Sequence, residues 1–232
     1  MKWMIGIVTI TLLGWGYSFK RVCLTDRQLK LILTYYNPKL EEIEACYPRI
    51  IGKGHEIYQI NGLIKKRLLK DLREWMDMDR ETLLLSTRSG SFSMSYQADY
   101  TAHIIKNRII SVVFYINAFT GGAHGNDWFI PFNWDLEKGV ELNFLMVFNL
   151  DLLDELKRLI WEVDRRGKRL IANQSDFFNP RFLPLIQFTP KGIKFLFQKY
   201  TVAPGCNGAF GIEIPYYLLQ KYLLPEYRVL FK

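Results

Sequence analysis

Between Phe92 and Ile104 the sequence changes period. Phe92, Met94, Tyr96, Ala98, Tyr100, Ala102 and Ile104 alternate with Ser93, Ser95, Gln97, Asp99, Thr101 and His103. A spacing of two suits an extended strand with one buried and one wet face. His103 falls on the wet face and reads as a surface histidine. Lys106-Asn107 then supplies a turn, and Ile109 to Phe119 is apolar on both faces for most of its length, as in a central strand. After a Gly-rich loop, Trp128, Ile130, Phe132 and Trp134 alternate again, and Asp135 to Gly139 closes another hairpin. Consecutive strands with short connections make an antiparallel meander. Such a sheet has an apolar face to cover, and the rest of the chain must supply the cover.

Helical spacing supplies it. Ile64, Leu68, Leu72, Trp75 and Met76 recur within Ile57–Glu81, with Asn61 placed to cap the start. A second helix starts at Asn149 or Asp151. Its acids stand in the first turns and Arg165 and Arg166 near the end, as the helix dipole favours. Leu185–Phe188 and Ile193–Tyr200 read as a hairpin around Thr189-Pro190-Lys191-Gly192. Phe210–Ile214 is a last strand, and Pro215 opens a final helix through Leu223. The expected fold is α+β, an antiparallel meander sheet with helices packed on it. No repeat or low-complexity linker interrupts it, so residues 21–232 form a single module. Its N-terminal part is about 45–88 and its Gly-loop part about 89–224.

Met1 to Gly16 place one lysine before an apolar run that is short for a membrane span. Residues 1–20 are therefore expected to be a signal peptide or a short N-terminal anchor. The module is then extracytoplasmic: periplasmic, secreted or membrane-anchored facing outward. Contact with the membrane is expected only through that anchor. Three cysteines occur, Cys23, Cys46 and Cys206, without the spacing of a metal or redox site. Two of them can pair. Cys46–Cys206 is the candidate disulfide because each flanks an expected strand edge, though sequence alone does not fix the pairing.

The residues offer little chemistry. Three histidines stand far apart, with no zinc motif, nucleophile elbow or phosphate loop, so no catalytic residue, metal or cofactor is expected. Carboxylates can still converge from distant positions. A cell-wall-acting hydrolase using dispersed carboxylates is therefore the alternative to a non-catalytic binding module. The net charge of +8 favours anionic partners. Its densest clusters, Lys65-Lys66-Arg67 with Lys70 and Arg165-Arg166 with Lys168-Arg169, read as solvated helix faces. The aromatics alternate into a core face and no nucleic-acid signature is present, so no nucleic-acid partner is expected.

The loop Thr120-Gly121-Gly122-Ala123-His124-Gly125-Asn126 is the most distinctive stretch. Gly121 and Gly122 permit backbone angles closed to other residues and can turn N–H groups outward as an anion-binding nest. His124 would titrate near neutral pH if exposed. The structural alternative is a tight connection with His124 bonded to a neighbouring strand. This loop resembles one in the extracytoplasmic domain of RsiV-type anti-sigma factors and of PdaC-type peptidoglycan deacetylases, outside their catalytic part. Tyr47-Pro48-Arg49-Ile50-Ile51-Gly52 with Ile60-Asn61, Trp134-Asp135-Leu136-Glu137-Lys138-Gly139, and Phe188-Thr189-Pro190-Lys191-Gly192-Ile193 through Tyr200-Thr201-Val202-Ala203-Pro204 resemble three further parts of that domain, in order. The resemblance runs from about residue 45 to 224. Gly205-Cys206-Asn207-Gly208 stands where the family often has an aromatic and small residues. With only Met1 and Lys2 before the apolar run, no sigma-binding domain is expected, and no deacetylase domain either. The resemblance implies a binding role for Gly121, Gly122, His124, Asn126, Tyr200 and Pro204. RsiV-type domains resemble lysozyme receptors, which implies a lysozyme-like protein as partner. The chain's own positive charge makes an anionic envelope glycan electrostatically easier, unless a local acidic patch compensates.

Overall fold

A computed structural model describes residues 17–33, 41–78, 94–120, 124–167 and 170–231. Strands are β1 (Ser18–Cys23), β2 (Glu41–Ile51), β3 (Met94–Ile105), β4 (Ile109–Phe119), β5 (Asn126–Asp135), β6 (Val140–Glu141), β7 (Leu185–Phe188), β8 (Gly192–Phe197) and β9 (Phe210–Pro215). Helices are α1 (Asp26–Ile32), α2 (His55–Met78), α3 (Leu153–Arg166), α4 (Gln174–Phe178), α5 (Tyr216–Leu219) and α6 (Pro225–Leu230). Among the described residues no helix is long and apolar enough to cross a membrane.

The expected α+β meander is present as β3-β4-β5-β6, each pair antiparallel. The sheet extends further, in the order β1-β2-β3-β4-β5-β6. Strand β2 runs parallel to β3 and antiparallel to β1. Helix α2 lies between β2 and β3 in the chain, since parallel neighbours need a long crossover. A second sheet, β7-β8-β9, is antiparallel throughout.

Strand β4 is apolar on both faces because both layers use it. Ile110, Val112, Phe114 and Ile116 pack with Ile60, Ile64, Leu68, Leu72 and Trp75 of α2 in one core. On the other face Ser111 accepts a hydrogen bond from the Phe188 backbone N–H (2.9 Å) and donates to Asn133 (2.6 Å). Asn133 in turn donates to the Ile186 carbonyl (2.9 Å), so β7 is fixed against the first sheet. A second core gathers Phe144, Phe148, Leu156, Ile160, Phe195 and Phe197 around the small sheet.

Several expectations change. His103 is half-buried rather than a free surface group, and burial pushes its pKa down, with Glu213 and Lys194 as its charged neighbours. Asn61 caps nothing, because α2 begins six residues earlier. Its amide instead pairs with Ile50, accepting from the backbone N–H (2.7 Å) and donating to the carbonyl (2.9 Å). Arg67 is no idle surface charge; it reaches Glu141 of β6 at 2.6 Å. The helix expected from Pro215 to Leu223 stops at Leu219, and a separate helix starts at Pro225. Leu224 is extended (φ −58°, ψ 150°), as a residue before proline prefers. Ser18–Lys20, within the expected leader, belong to β1, while residues 1–16 lie outside the described residues.

The candidate Cys46–Cys206 disulfide is not formed. Cys23 and Cys46 stand opposite each other in the β1–β2 register and are bonded. Cys206 is free and exposed in a short 3-10 turn, Gly205–Asn207. Nothing local to residues 18–23 marks a strand, so the sequence alone offers Cys46 no partner close at hand. Bridging positions 23 residues apart removes loop entropy from the unfolded chain, worth about 3 kcal/mol. Urea unfolding with and without a reductant is expected to differ by that amount. Coincident curves would show that the bond contributes nothing.

Candidate functional site

At the β4–β5 end of the large sheet, His124 and Gly125 meet the segment that follows β8. Gln198 makes the first link. Its amide accepts from the Phe129 backbone N–H (2.8 Å) and donates to the Phe129 carbonyl (2.8 Å), as a neighbouring strand would. Lys199 makes the second. Its Nζ donates to the Gly125 carbonyl (2.7 Å) and lies 3.6 Å from the Asp127 carboxylate, with side-chain exposures of only 9% and 10%. Asp127 also accepts from the Tyr115 hydroxyl (3.2 Å) and from the backbone N–H of Ala209. Gly208 turns with φ +65°, directly against that carboxylate. A charge so enclosed needs these partners, because an unpaired buried charge costs several kcal/mol.

Above this node sits Tyr200. It has a left-handed backbone (φ +67°) and is 60% exposed. Its ring lies over the Lys199 ammonium (5.4 Å), and its far edge packs so close to Gly205 that a Cβ there would fall 2.1 Å from it and push the ring aside. The Tyr200 hydroxyl stands 3.5 Å from His124 Nε2, while His124 Nδ1 lies 3.2 Å from the Gly125 carbonyl. Left-handed backbone costs a non-glycine residue on the order of 1 kcal/mol or more, and persists only where the surroundings hold it.

Beside the loop lies an open cleft of about 340 Å³. Helix α2 contributes Asp71, Glu74 and Trp75; the end of β4 contributes Ala118 and Thr120; the loop and β5 contribute His124, Asn126 and Trp128. Asp71 accepts from the Tyr96 hydroxyl (2.7 Å) and from the Trp128 indole N–H (3.0 Å). Burial pushes its carboxyl above the usual range, with Glu74 adding to the rise and the two hydrogen bonds opposing it. Tyr96, fully buried beneath, is pushed far above its ordinary value, first by burial and then by Asp71.

The structure therefore brings together His124 and Tyr200, with Asn126 exposed on the cleft and Pro204 leading into the turn that carries Gly205. Gly121 and Gly122 lie outside the described residues. Sequence reasoning missed Asp71, Asp127, Trp128, Gln198 and Lys199. Asp71 had a signal: it falls among Ile64, Leu68 and Trp75 at helical spacing, and an acid on an apolar stripe demands partners.

A family model described as Deacetylase PdaC matches residues 36–127, and one described as a protein of unknown function, DUF3298, matches 148–217. The two matches follow one another along the chain, a PdaC-like part at 36–127 and a DUF3298-like part at 148–217. The Gly loop and nearly all of the cleft belong to the PdaC part, while Gln198, Lys199 and Tyr200 come from the DUF3298 part. The Lys199 bond to the Gly125 carbonyl thus joins the two. A crystal structure of a DUF3298 family member from Bacteroides fragilis superposes with a TM-score of 0.54 at 18% identity, covering 90% of this chain and 93% of that one. A DUF3298 family protein from Pseudomonas aeruginosa gives 0.58 at 15% identity, covering 93% and 95%. These likenesses establish a shared fold. No curated protein matches the chain.

Proposed function

We propose that the chain is an extracytoplasmic, non-catalytic binding module of the cell envelope, and that a lysozyme-like protein docks where the Gly loop meets Tyr200. Tyr200 carries this reading. An exposed aromatic held in a costly backbone conformation, braced by His124, Gly205 and a buried Lys199, is what a protein anchor looks like before its partner arrives. PdaC-type domains are generally extracytoplasmic, and the Cys23–Cys46 bond suits an oxidising compartment. The net charge of +8 opposes a basic partner, but Asp71 and Glu74 place negative charge beside the loop. The same acids disfavour an anionic glycan at this surface, which makes the protein partner the better choice.

Lysozymes and peptidoglycan serve as separate baits for the chain. Lysozyme is expected to bind, and Tyr200→Ala to weaken that binding roughly thirtyfold, the loss of about 2 kcal/mol typical of an interface anchor. Binding only to peptidoglycan would transfer the role to a glycan, and binding to neither bait would sink it. The raised carboxyl of Asp71 next to Glu74 supports one rival, a wall hydrolase. Muropeptide turnover that vanished in Asp71→Asn would establish that rival.

A further inference from the structure

We propose that the cleft between α2 and the Gly loop is a socket for one protonated basic side chain, an arginine or lysine of the docking protein. This rests on the docking surface proposed above and names the chemistry of its deepest contact.

The argument starts from Asp71. Its two hydrogen-bond donors, Tyr96 and Trp128, are both neutral. Among the described residues no lysine or arginine forms an ion pair with it. The two donors occupy both carboxylate oxygens, Tyr96 on Oδ2 and Trp128 on Oδ1, and neither of them brings the positive charge that would balance the carboxylate. The anion is nevertheless set against indole and phenol rings, where burial disfavours it and raises its pKa. Glu74, one helical turn on, adds charge of the same sign. Its partner Lys70 lies 3.6 Å away with both side chains mostly exposed, a pairing that neutralises little. The site is therefore poised one positive charge short.

The walls suit such a charge. Trp75 and Trp128 both line the cleft, with ring centroids 5.2 and 6.3 Å from that of the buried Tyr96. Indole faces attract guanidinium and ammonium groups, most strongly when water is excluded. Asn126 and Thr120 add polar atoms at the mouth. About 340 Å³ holds a basic side chain with its aliphatic stem, near the lower limit for small-molecule sites. His124 at the rim is the other titratable group facing the cleft; protonated, it would repel the incoming cation. Capture of a cation would offset the cost of holding Asp71 ionised, so affinity is expected to depend on charge more than on shape.

The test uses the full chain labelled at tryptophan nitrogen. The indole N–H of Trp128 reports directly, because it is bonded to Asp71. N-acetyl-argininamide, N-acetyl-lysinamide, the neutral isostere N-acetyl-citrullinamide and glucosamine are titrated separately. At least one of the two basic amides is expected to shift this resonance saturably, while citrullinamide does not. Asp71→Asn is expected to weaken the effect at least tenfold. Glu74→Gln, which leaves the Tyr96 and Trp128 bonds in place, is expected to weaken it severalfold. Equal shifts from citrullinamide, or none from either basic amide, would overturn the proposal. A stronger response to glucosamine would overturn it in favour of an amino sugar. Saturable binding of the basic amides without lysozyme capture would leave the socket standing and discard the partner proposed above. Lysozyme capture undiminished in both cleft variants would keep that partner and discard the socket.

Discussion

Replacing Asp135 by alanine is expected to lower the unfolding free energy by about 3–5 kcal/mol, the cost of breaking a buried ion pair from one side. Asp135 ends β5 with no exposed surface. Its carboxylate accepts from Arg108 Nε (3.0 Å) and Nη2 (2.8 Å), from the Tyr227 hydroxyl (3.3 Å), and from the backbone N–H groups of Glu137 (3.0 Å) and Lys138 (3.3 Å). Alanine would leave a mostly buried guanidinium without its bidentate partner, a buried hydroxyl without an acceptor and a turn without its anchor. It would also loosen α6, because Arg108 and Lys138 both lie over the Tyr227 ring, at 5.6 and 5.1 Å. The pH dependence should change too. Burial pushes the Asp135 carboxyl up, but Arg108 and the two backbone donors outweigh it and hold it below its usual value. A carboxyl depressed in the folded state contributes stability that is fully present above its unfolded pKa, about 3.9, and fades as pH falls toward the folded value. Urea unfolding at neutral pH and at about pH 3 is expected to show the variant's deficit shrinking in acid. A neutral-pH loss below about 1 kcal/mol, or a deficit equal at both values, would refute this account.

The second large effect is expected from Lys199→Met. It removes the cation between Asp127 and the Gly125 carbonyl while keeping most of the side-chain volume. The stability loss should sit near the lower end of roughly 3–5 kcal/mol, since Asp127 keeps the Tyr115 hydroxyl and the Ala209 N–H. Partner binding should disappear, because Tyr200 loses the support beneath its ring and the Gly loop loses its tie to the DUF3298 part. Hydrogen exchange separates this from general unfolding. Amides around 124–129 should exchange faster while those of β8 and β9 stay protected. Unchanged exchange in the loop, or retained partner binding, would show that the clamp does not organise the site.

The meander from β3 to β6 was legible because a period of two has few other meanings. Strand β4 was legible as central because Ile109 to Phe119 is apolar on both faces for most of its length. The parallel β2–β3 pair was not. Nothing local to residues 41–51 marks a parallel partner, which a crossover through α2 decides. Strand β1 was hidden behind a segment that reads as a leader. The pairing of Cys23 with Cys46 was lost with it, since a disulfide depends on register and not on spacing. Part of the candidate site was visible: His124 and Asn126 stood out on the loop, and Tyr200 was reached through a resemblance. The cleft was not visible, because Asp71 hides in a stripe otherwise read as core and Trp128 in an alternating strand. Both became site residues through long-range hydrogen bonds that no window of sequence contains.

The Gln198 amide has a consequence for solution behaviour. Strand β6 covers only Trp134 and Asp135 of β5, so the outer backbone near Phe129 would otherwise present a bare donor and acceptor to any passing chain. Exposed strand edges of this kind recruit further strands and seed aggregates. By filling both bonding positions with one side chain, the fold closes that edge to strand addition while leaving the neighbouring aromatic surface open to a chosen partner.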